Sequence, residues 1–293
     1  PLGISFYTFQ IAAYIIDVYR GRVPVEKSFI RLGTYVTMFP QLIAGPIVNY
    51  TEVSSCLKRR TVTARDFESG IRILVIGLGS KVIIADRVGM LWNNVQTIGF
   101  NSISTPLAWL GAVAYSMELY FDFAGYSMMA IGLGKMLGFQ IPVNFRFPYI
   151  SKSVTEFWRR WHISLSSWVR DYLFLPLSSF TRRWGQWGVA ASLMVTFIAL
   201  GVWHGAGWTF AVYGFIQGLV IVWELRTERI RNKVRKHIGR RLFATLSVIR
   251  TYLIFAVSLV FFKAQSVSDA FYFLRNISFQ THASWKEINI GMS

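Results

Sequence analysis

Between Trp184 and Trp223 the chain carries no Asp, Glu, Lys or Arg, a stretch long enough for two helices of about 20 residues, each able to cross a bilayer core. Arg182 and Arg183 precede it. The run Arg226 to Arg241 follows, with eight Lys/Arg in 16 residues and Glu228 as the single acid. Lys and Arg accumulate on the cytoplasmic side of membrane segments, so both flanks are assigned there and the stretch reads as a hairpin. Its far end falls at VWHGAGW, where Gly201, Gly205 and Gly207 weaken regular helix. His204 sits at that break.

The same pattern organises the rest of the chain. Leu32 to Thr51 is uncharged but contains Pro40, Gln41, Pro46 and Asn49 between basic flanks, which fits a re-entrant segment better than a full span. Ile71 to about Trp92 predicts a helix interrupted by Lys81, Asp86 and Arg87, followed by an uncharged polar loop expected on the non-cytoplasmic side. Pro106 to Leu137 returns with Glu118 and Asp122, and Leu242 to Phe262 forms a further span containing Arg250. The tail from Lys263 is mixed and amphipathic. From Asn144 to Arg183, Trp158, Trp161, Trp168, Phe174 and Leu175 alternate with Arg159, Arg160 and Arg170, the two faces of an interfacial helix, with Ser153 or Thr155 and Glu156 placed to cap its start. No linker divides the chain. The expectation is one membrane domain over residues 1–293 that opens inside an apolar segment at Pro1 and lacks terminal segments at both ends.

Composition sharpens this reading. The 293 residues are 53% hydrophobic and 16% aromatic, and 31 Lys+Arg against 14 Asp+Glu give a formal net charge of +17. Only 15% of residues are charged and the mean hydropathy is +0.41, so the basic balance belongs to a membrane protein's loops and not to a nucleic-acid surface. A single cysteine, Cys56, excludes an intramolecular disulfide framework and a cysteine zinc site, and is read as a small buried apolar residue. No G-x-S-x-G elbow, H-E-x-x-H or P-loop is present, and no metal-ligand set is expected. Gly77 with Gly79 and Gly132 with Gly134 lack the third glycine of a dinucleotide fingerprint and are read as close helix-packing points.

What remains is a small set of polar groups in apolar surroundings. A histidine within an uncharged hairpin is a functional candidate, and a neutral imidazole is the usual general base near pH 7; the alternative for His204 is a helix-bridging role. His162, among Trp and Arg, is either a headgroup contact or a structural hydrogen-bonding group. Glu118 and Asp122 share one helix face, lining a polar path or pairing with Arg250 or Lys81. Asp171 either anchors the interfacial segment or orients a histidine. The basic run is a topology signal that also suits anionic lipid or an acidic protein.

The strings GISFYTFQ, FPQLIAGPI, YFDFAGYSMMAIGLGKMLGF, NFRFPYISKSVTEFWRRWHISLSSWVRDYLFLPL and GVWHGAGWTF resemble the membrane-bound O-acyltransferase family, in its bacterial polysaccharide and alginate acetylase branch. The resemblance implies an all-α polytopic bundle with re-entrant segments around a central tunnel in the cell membrane. It implies that His204 of the WHG motif is catalytic and His162 of the RWH motif is the second signature residue, with Trp161, Trp203, Asp122 and Asp171 along the substrate tunnel. It further implies no bound cofactor, an acyl thioester donor such as acetyl-CoA or an acyl carrier, and a polysaccharide acceptor. The expected partners are membrane lipid and a secreted or periplasmic acetylation partner or an acyl carrier protein. The D-alanyl branch, which esterifies teichoic acid, shares the RWH and WHG motifs. Met128, and Ser178 with Ser179, depart from the alginate pattern and leave the polymer open.

Overall fold

The computed structural model describes residues 4–40, 45–99 and 103–279, and every regular element among them is helical. In chain order these are α1 (Ile4–Tyr19), α2 (Phe29–Thr37), α3 (Tyr50–Lys58), α4 (Ala64–Gly79), α5 (Asp86–Ile98), α6 (Thr105–Met136), α7 (Val154–Trp158), α8 (Ile163–Val169), α9 (Leu175–Phe180), α10 (Gly185–His204), α11 (Trp208–Arg226), α12 (Glu228–Ile238), α13 (Arg240–Lys263) and α14 (Val267–Phe279). A π-helical turn, Ser80–Ala85, joins α4 to α5 where Lys81 and Asp86 interrupt the apolar run. Three of the described helices are long and apolar enough to cross a membrane: Arg182–His204, Trp208–Arg226 and Arg240–Lys263.

The helices group into two compact, interleaved units. The first comprises Pro1–Ala85, Tyr120–Arg146 and Trp161–Tyr172, the second Asp86–Leu119, Phe147–Arg160 and Leu173–Ser293. In the first unit Tyr35, Val48, Tyr50, Val53, Phe139 and Ile141 form the core, and Cys56 packs against it. An acid with a shielded side chain, Glu26, organises the neighbouring loop. Glu26 takes two hydrogen bonds from Arg31 at 2.7 and 3.0 Å and one from the Tyr50 hydroxyl at 2.5 Å, and Arg31 with Tyr50 holds its carboxyl down at about 2. The glycine reading holds for Gly77: a Cβ there would lie 2.6 Å from the Gly125 carbonyl oxygen, and one at Gly125 equally close to that of Gly77, so α4 and α6 touch backbone to backbone.

The second unit is built on the α10–α11 hairpin. Gly201 and Gly214 make its close crossing, since a Cβ on either would fall 2.3 and 2.2 Å from the carbonyl oxygens of Phe210 and Phe197. Against it α13 packs through a polar ladder in which Trp158 Nε1 donates to Gln217 Oε1 at 3.1 Å and Gln217 Nε2 donates to Ser258 Oγ at 2.7 Å. Trp184, Trp187 and Trp223 are exposed at one end of the hairpin and Trp208 at the other, the two aromatic girdles of a membrane segment.

Two expectations need correction. The segment from Asn144 to Arg183 is not one interfacial helix: Phe147 and His162 adopt left-handed φ of 49° and 43°, a conformation that helices of L-residues do not continue through, so α7 stands apart and only residues 163–180 run on as helix, α8 joining α9 through a π-helical turn, Arg170–Phe174. Trp158 and Trp161 are buried instead of facing lipid headgroups. Arg250 pairs with Glu224 rather than with Glu118 or Asp122. The uncharged stretch from Leu32 is broken, as read, by non-helical residues between α2 and α3; its central residues 41–44, part of the polar loop (100–102) and the tail beyond 279 lie outside the described residues.

Candidate functional site

His204 is the last residue of α10, and the chain turns through Gly205 to Gly207 before α11 begins. Its Nδ1 lies 2.7 Å from the Leu200 carbonyl oxygen, one helical turn back. A carbonyl oxygen only accepts, so Nδ1 carries the proton and Nε2 holds the lone pair. The ring is gripped edgewise by Trp203 at 4.7 Å and Phe262 at 5.1 Å between centroids. Phe262 also meets Phe210 and Tyr213. An imidazole of fixed tautomer, its basic nitrogen unused by Leu200, stands in an aromatic enclosure.

His162 occupies a different polar centre, in the first unit. It is 3% exposed, and its Nδ1 lies 3.3 Å from Asn144 Oδ1, which as an amide oxygen again assigns the proton to Nδ1. Asn144 explains how the strained left-handed backbone persists. Its Oδ1 also accepts from Ser164 N at 3.1 Å and Ser164 Oγ at 3.0 Å, its main-chain oxygen accepts from Ile163 N at 2.9 Å, and its Nδ2 donates to Ser127 Oγ on α6 at 3.1 Å. Phe123 meets the ring edgewise at 4.6 Å and Phe145 stacks at 6.4 Å. Trp161 packs on Phe145 at 5.0 Å.

Of the other candidates, Trp203 accompanies His204 and Trp161 accompanies His162, whereas the two aspartates are engaged by cations. Asp122 pairs with Lys81 of the π-helical turn. Asp171 takes two hydrogen bonds from its neighbour Arg170, at 2.7 and 2.9 Å, so it secures the local chain and orients no histidine among the described contacts. Two polar residues escape the sequence reading altogether: Asn144, and Glu224 near the end of α11. Glu224 is 2% exposed and accepts from Val154 N at 2.9 Å, Thr155 N at 3.1 Å and Arg250 Nη2 at 3.3 Å. Ser153 takes the next amide, Glu156 N, at 2.9 Å, as a sequence-level cap should. Together they satisfy the first three amides of α7, which no intrahelical acceptor reaches.

Comparison with known proteins joins these motifs to a family. Residues 25–264 match the membrane-bound O-acyltransferase family. The chain belongs to that family. It is 40% identical over 270 residues to the probable alginate O-acetylase AlgI of Pseudomonas aeruginosa, covering 92% of this chain and 50% of that protein. It is 32% identical to the peptidoglycan O-acetyltransferase of Helicobacter pylori, covering 94% and 56%, and 30% identical to the teichoic acid D-alanyltransferase of Bacillus subtilis, covering 86% and 65%. The chain thus spans about half the length of the acetylases it matches. Membership, with three apolar helices, makes it a membrane protein, and both the RWH and the WHG histidines fall within the matched region.

Proposed function

We propose that this chain carries the acyl-transfer centre of an integral-membrane O-acyltransferase that esterifies hydroxyls of an exported or cell-surface polysaccharide, most simply with acetate. The observation that carries the reading is His204: at the break of an uncharged hairpin, its Nδ1–H is committed to Leu200 and Nε2 is left as a base. Nε2 takes the proton of an acceptor hydroxyl as the oxygen attacks the thioester carbonyl. The carbon–sulfur bond then breaks, and the departing thiolate takes the proton back from the imidazolium. The donor is an acyl thioester, either acetyl-CoA or an acyl carrier. The aromatic enclosure of Trp203, Phe262 and Phe210 limits water, which would otherwise consume the thioester.

In this reading His162 with Trp161 forms a second, rigid element of the substrate tunnel, and Asp122 and Asp171 line its approaches. The protein is a multi-pass component of the plasma or inner membrane, with both basic flanks of the hairpin cytoplasmic. A secreted or periplasmic partner completes transfer to the polymer where the chain itself does not. The D-alanyltransferase relative supports a second reading, D-alanyl transfer to teichoic acid or a lipid-linked glycan.

The test uses the complete protein in its own host. Ester-linked groups are released from the surface polymer by mild alkali and identified, in wild type and His204→Gln. Acetate lost in the variant at unchanged membrane protein level supports the proposal. Normal ester content in His204→Gln removes the general-base role, and released D-alanine in place of acetate selects the second reading.

A further inference from the structure

The charges of α12 are sorted by face. Glu228, Arg231, Asn232 and Arg235, spaced to recur on one side of a helix, line a cavity of about 450 Å³ between the end of α11 and the start of α13, whereas Arg229, Lys233 and Lys236 do not. A topology signal needs only a number of positive charges near a span; it does not need them gathered around a hollow. Lys152 and Arg240 join from the flanking segments, so four cations line the cavity against two carboxylates. One of those, Glu224, is already engaged by Arg250 and the α7 amides. Arg231 is steered to the cavity by a hydrogen bond from its Nη2 to the Glu224 main-chain oxygen, while its Nε is buried and makes no hydrogen bond within the described residues. Leu225, Phe243 and Ala244 supply an apolar wall beside this cationic lip.

Position decides which anion fits. The cavity opens at the ends of two membrane-capable helices, Trp208–Arg226 and Arg240–Lys263. The exposed tryptophans Trp184, Trp187 and Trp223 lie at that end of the hairpin, and Arg226 stacks over Trp187 at 4.4 Å. Aromatic residues of this kind mark the headgroup level of a bilayer. The 19 residues of α11 separate this level from the turn at His204 by about 28 Å, close to a bilayer core of ~30 Å. We propose that this cavity is a binding site for an anionic phospholipid, its phosphate held by Arg231, Arg235, Arg240 and Lys152 and its glycerol and first methylenes against Leu225 and Phe243.

The complete protein in neutral detergent is incubated with dioleoylphosphatidylglycerol and examined by native mass spectrometry for retained lipid. Two charge-matched variants are compared: Arg235→Gln with Arg240→Gln inside the cavity, and Arg229→Gln with Lys233→Gln outside it. Loss of two Lys/Arg contacts predicts about 30-fold weaker retention in the first and less than threefold change in the second. Dioleoylphosphatidylcholine should not be retained, and unchanged melting temperatures will show that both variants are folded. Should the first variant unfold, Arg235→Lys with Arg240→Lys takes its place, and wild-type-like retention there against loss in Arg235→Gln alone supports the site. Equal retention by both charge-matched variants, or equal loss in both, overturns the proposal. Displacement of the lipid by millimolar inorganic phosphate assigns the cavity to a free anion and overturns it as well.

Discussion

Removing the Glu224 carboxylate should loosen the second unit by more than the loss of a surface ion pair would. In Glu224→Ala the buried amide of Val154 and the half-buried amide of Thr155 lose their acceptor, at about 1–3 kcal/mol for a stranded buried donor. Arg250 also loses its carboxylate, but it is 27% exposed on its side chain and still donates to the Lys152 carbonyl at 3.0 Å, so its share is about 1 kcal/mol. With the half-buried amide taken at the low end of that range, the sum is ~3–5 kcal/mol, which matches the cost of breaking a buried charged pair. Glu224→Gln keeps one acceptor oxygen and turns the other into a donor facing Thr155, for about 2 kcal/mol. The two roles of Glu224 separate in a double-mutant cycle with Arg250→Met. If the amides dominate, Arg250→Met alone costs little and does not rescue Glu224→Gln. The assay is denaturant unfolding of the complete protein in detergent, with hydrogen exchange of residues 148–158 as the local readout. Unchanged exchange there in Glu224→Ala, with less than 1 kcal/mol lost overall, would refute the capping role.

Four further outcomes follow from the geometry. Asn144→Leu strands the His162 imidazole N–H, the Ser164 amide and the Ser164 hydroxyl now served by Oδ1 and should lower unfolding stability by about 2–4 kcal/mol, against a small effect for Cys56→Ser. Asp122→Asn breaks a pair whose side chains are 39% and 45% exposed, so stability should change by less than 1 kcal/mol; an ester-formation defect at normal stability would then place Asp122 on the substrate path. Because the folded carboxyl of Glu26 titrates at about 2 instead of 4.5, its contribution is present above pH 4.5 and disappears as pH falls toward 2. Glu26→Gln should therefore flatten the acid limb of the unfolding curve. Gly201→Val drives a side chain into the Phe210 carbonyl and should cost at least 1–3 kcal/mol, read as a lower melting temperature with the α10–α11 hairpin exchanging first.

What the sequence made legible was whatever leaves a linear trace. The hairpin, its break at Gly205 to Gly207 and the Ser153 cap rest on hydropathy, glycine placement and a local three-residue spacing, and all three recur in the structure. The Lys81–Asp122 pair was one of two readings, and the fold chose it by bringing the π-helical turn to α6. Asn144 and Glu224 left no such trace, because their partners are backbone amides that become neighbours only after folding. Glu224 directly follows the uncharged stretch, a position where a carboxylate is ordinarily solvated. The interfacial helix failed for a related reason: alternation of Trp and Arg predicts an amphipathic surface, but nothing in residue type foretells left-handed backbone at Phe147 and His162, neither of which is glycine.

The Nδ1–H bond from His204 to Leu200 narrows what evolution can place at that position. Under the proposed general-base role, the side chain must give a proton to its own helix and hold a lone pair on its other edge. A carboxylate supplies the lone pair but would repel the Leu200 carbonyl; an amide or a lysine supplies the donor but no base at neutral pH. Imidazole alone among the common side chains does both at once. Any drift away from histidine must therefore abandon either the end of α10 or the base, and a descendant that keeps the helix but loses the chemistry should carry Gln or Asn there. Such a residue at position 204 would mark a chain that has become a non-catalytic subunit while still folding as this one does.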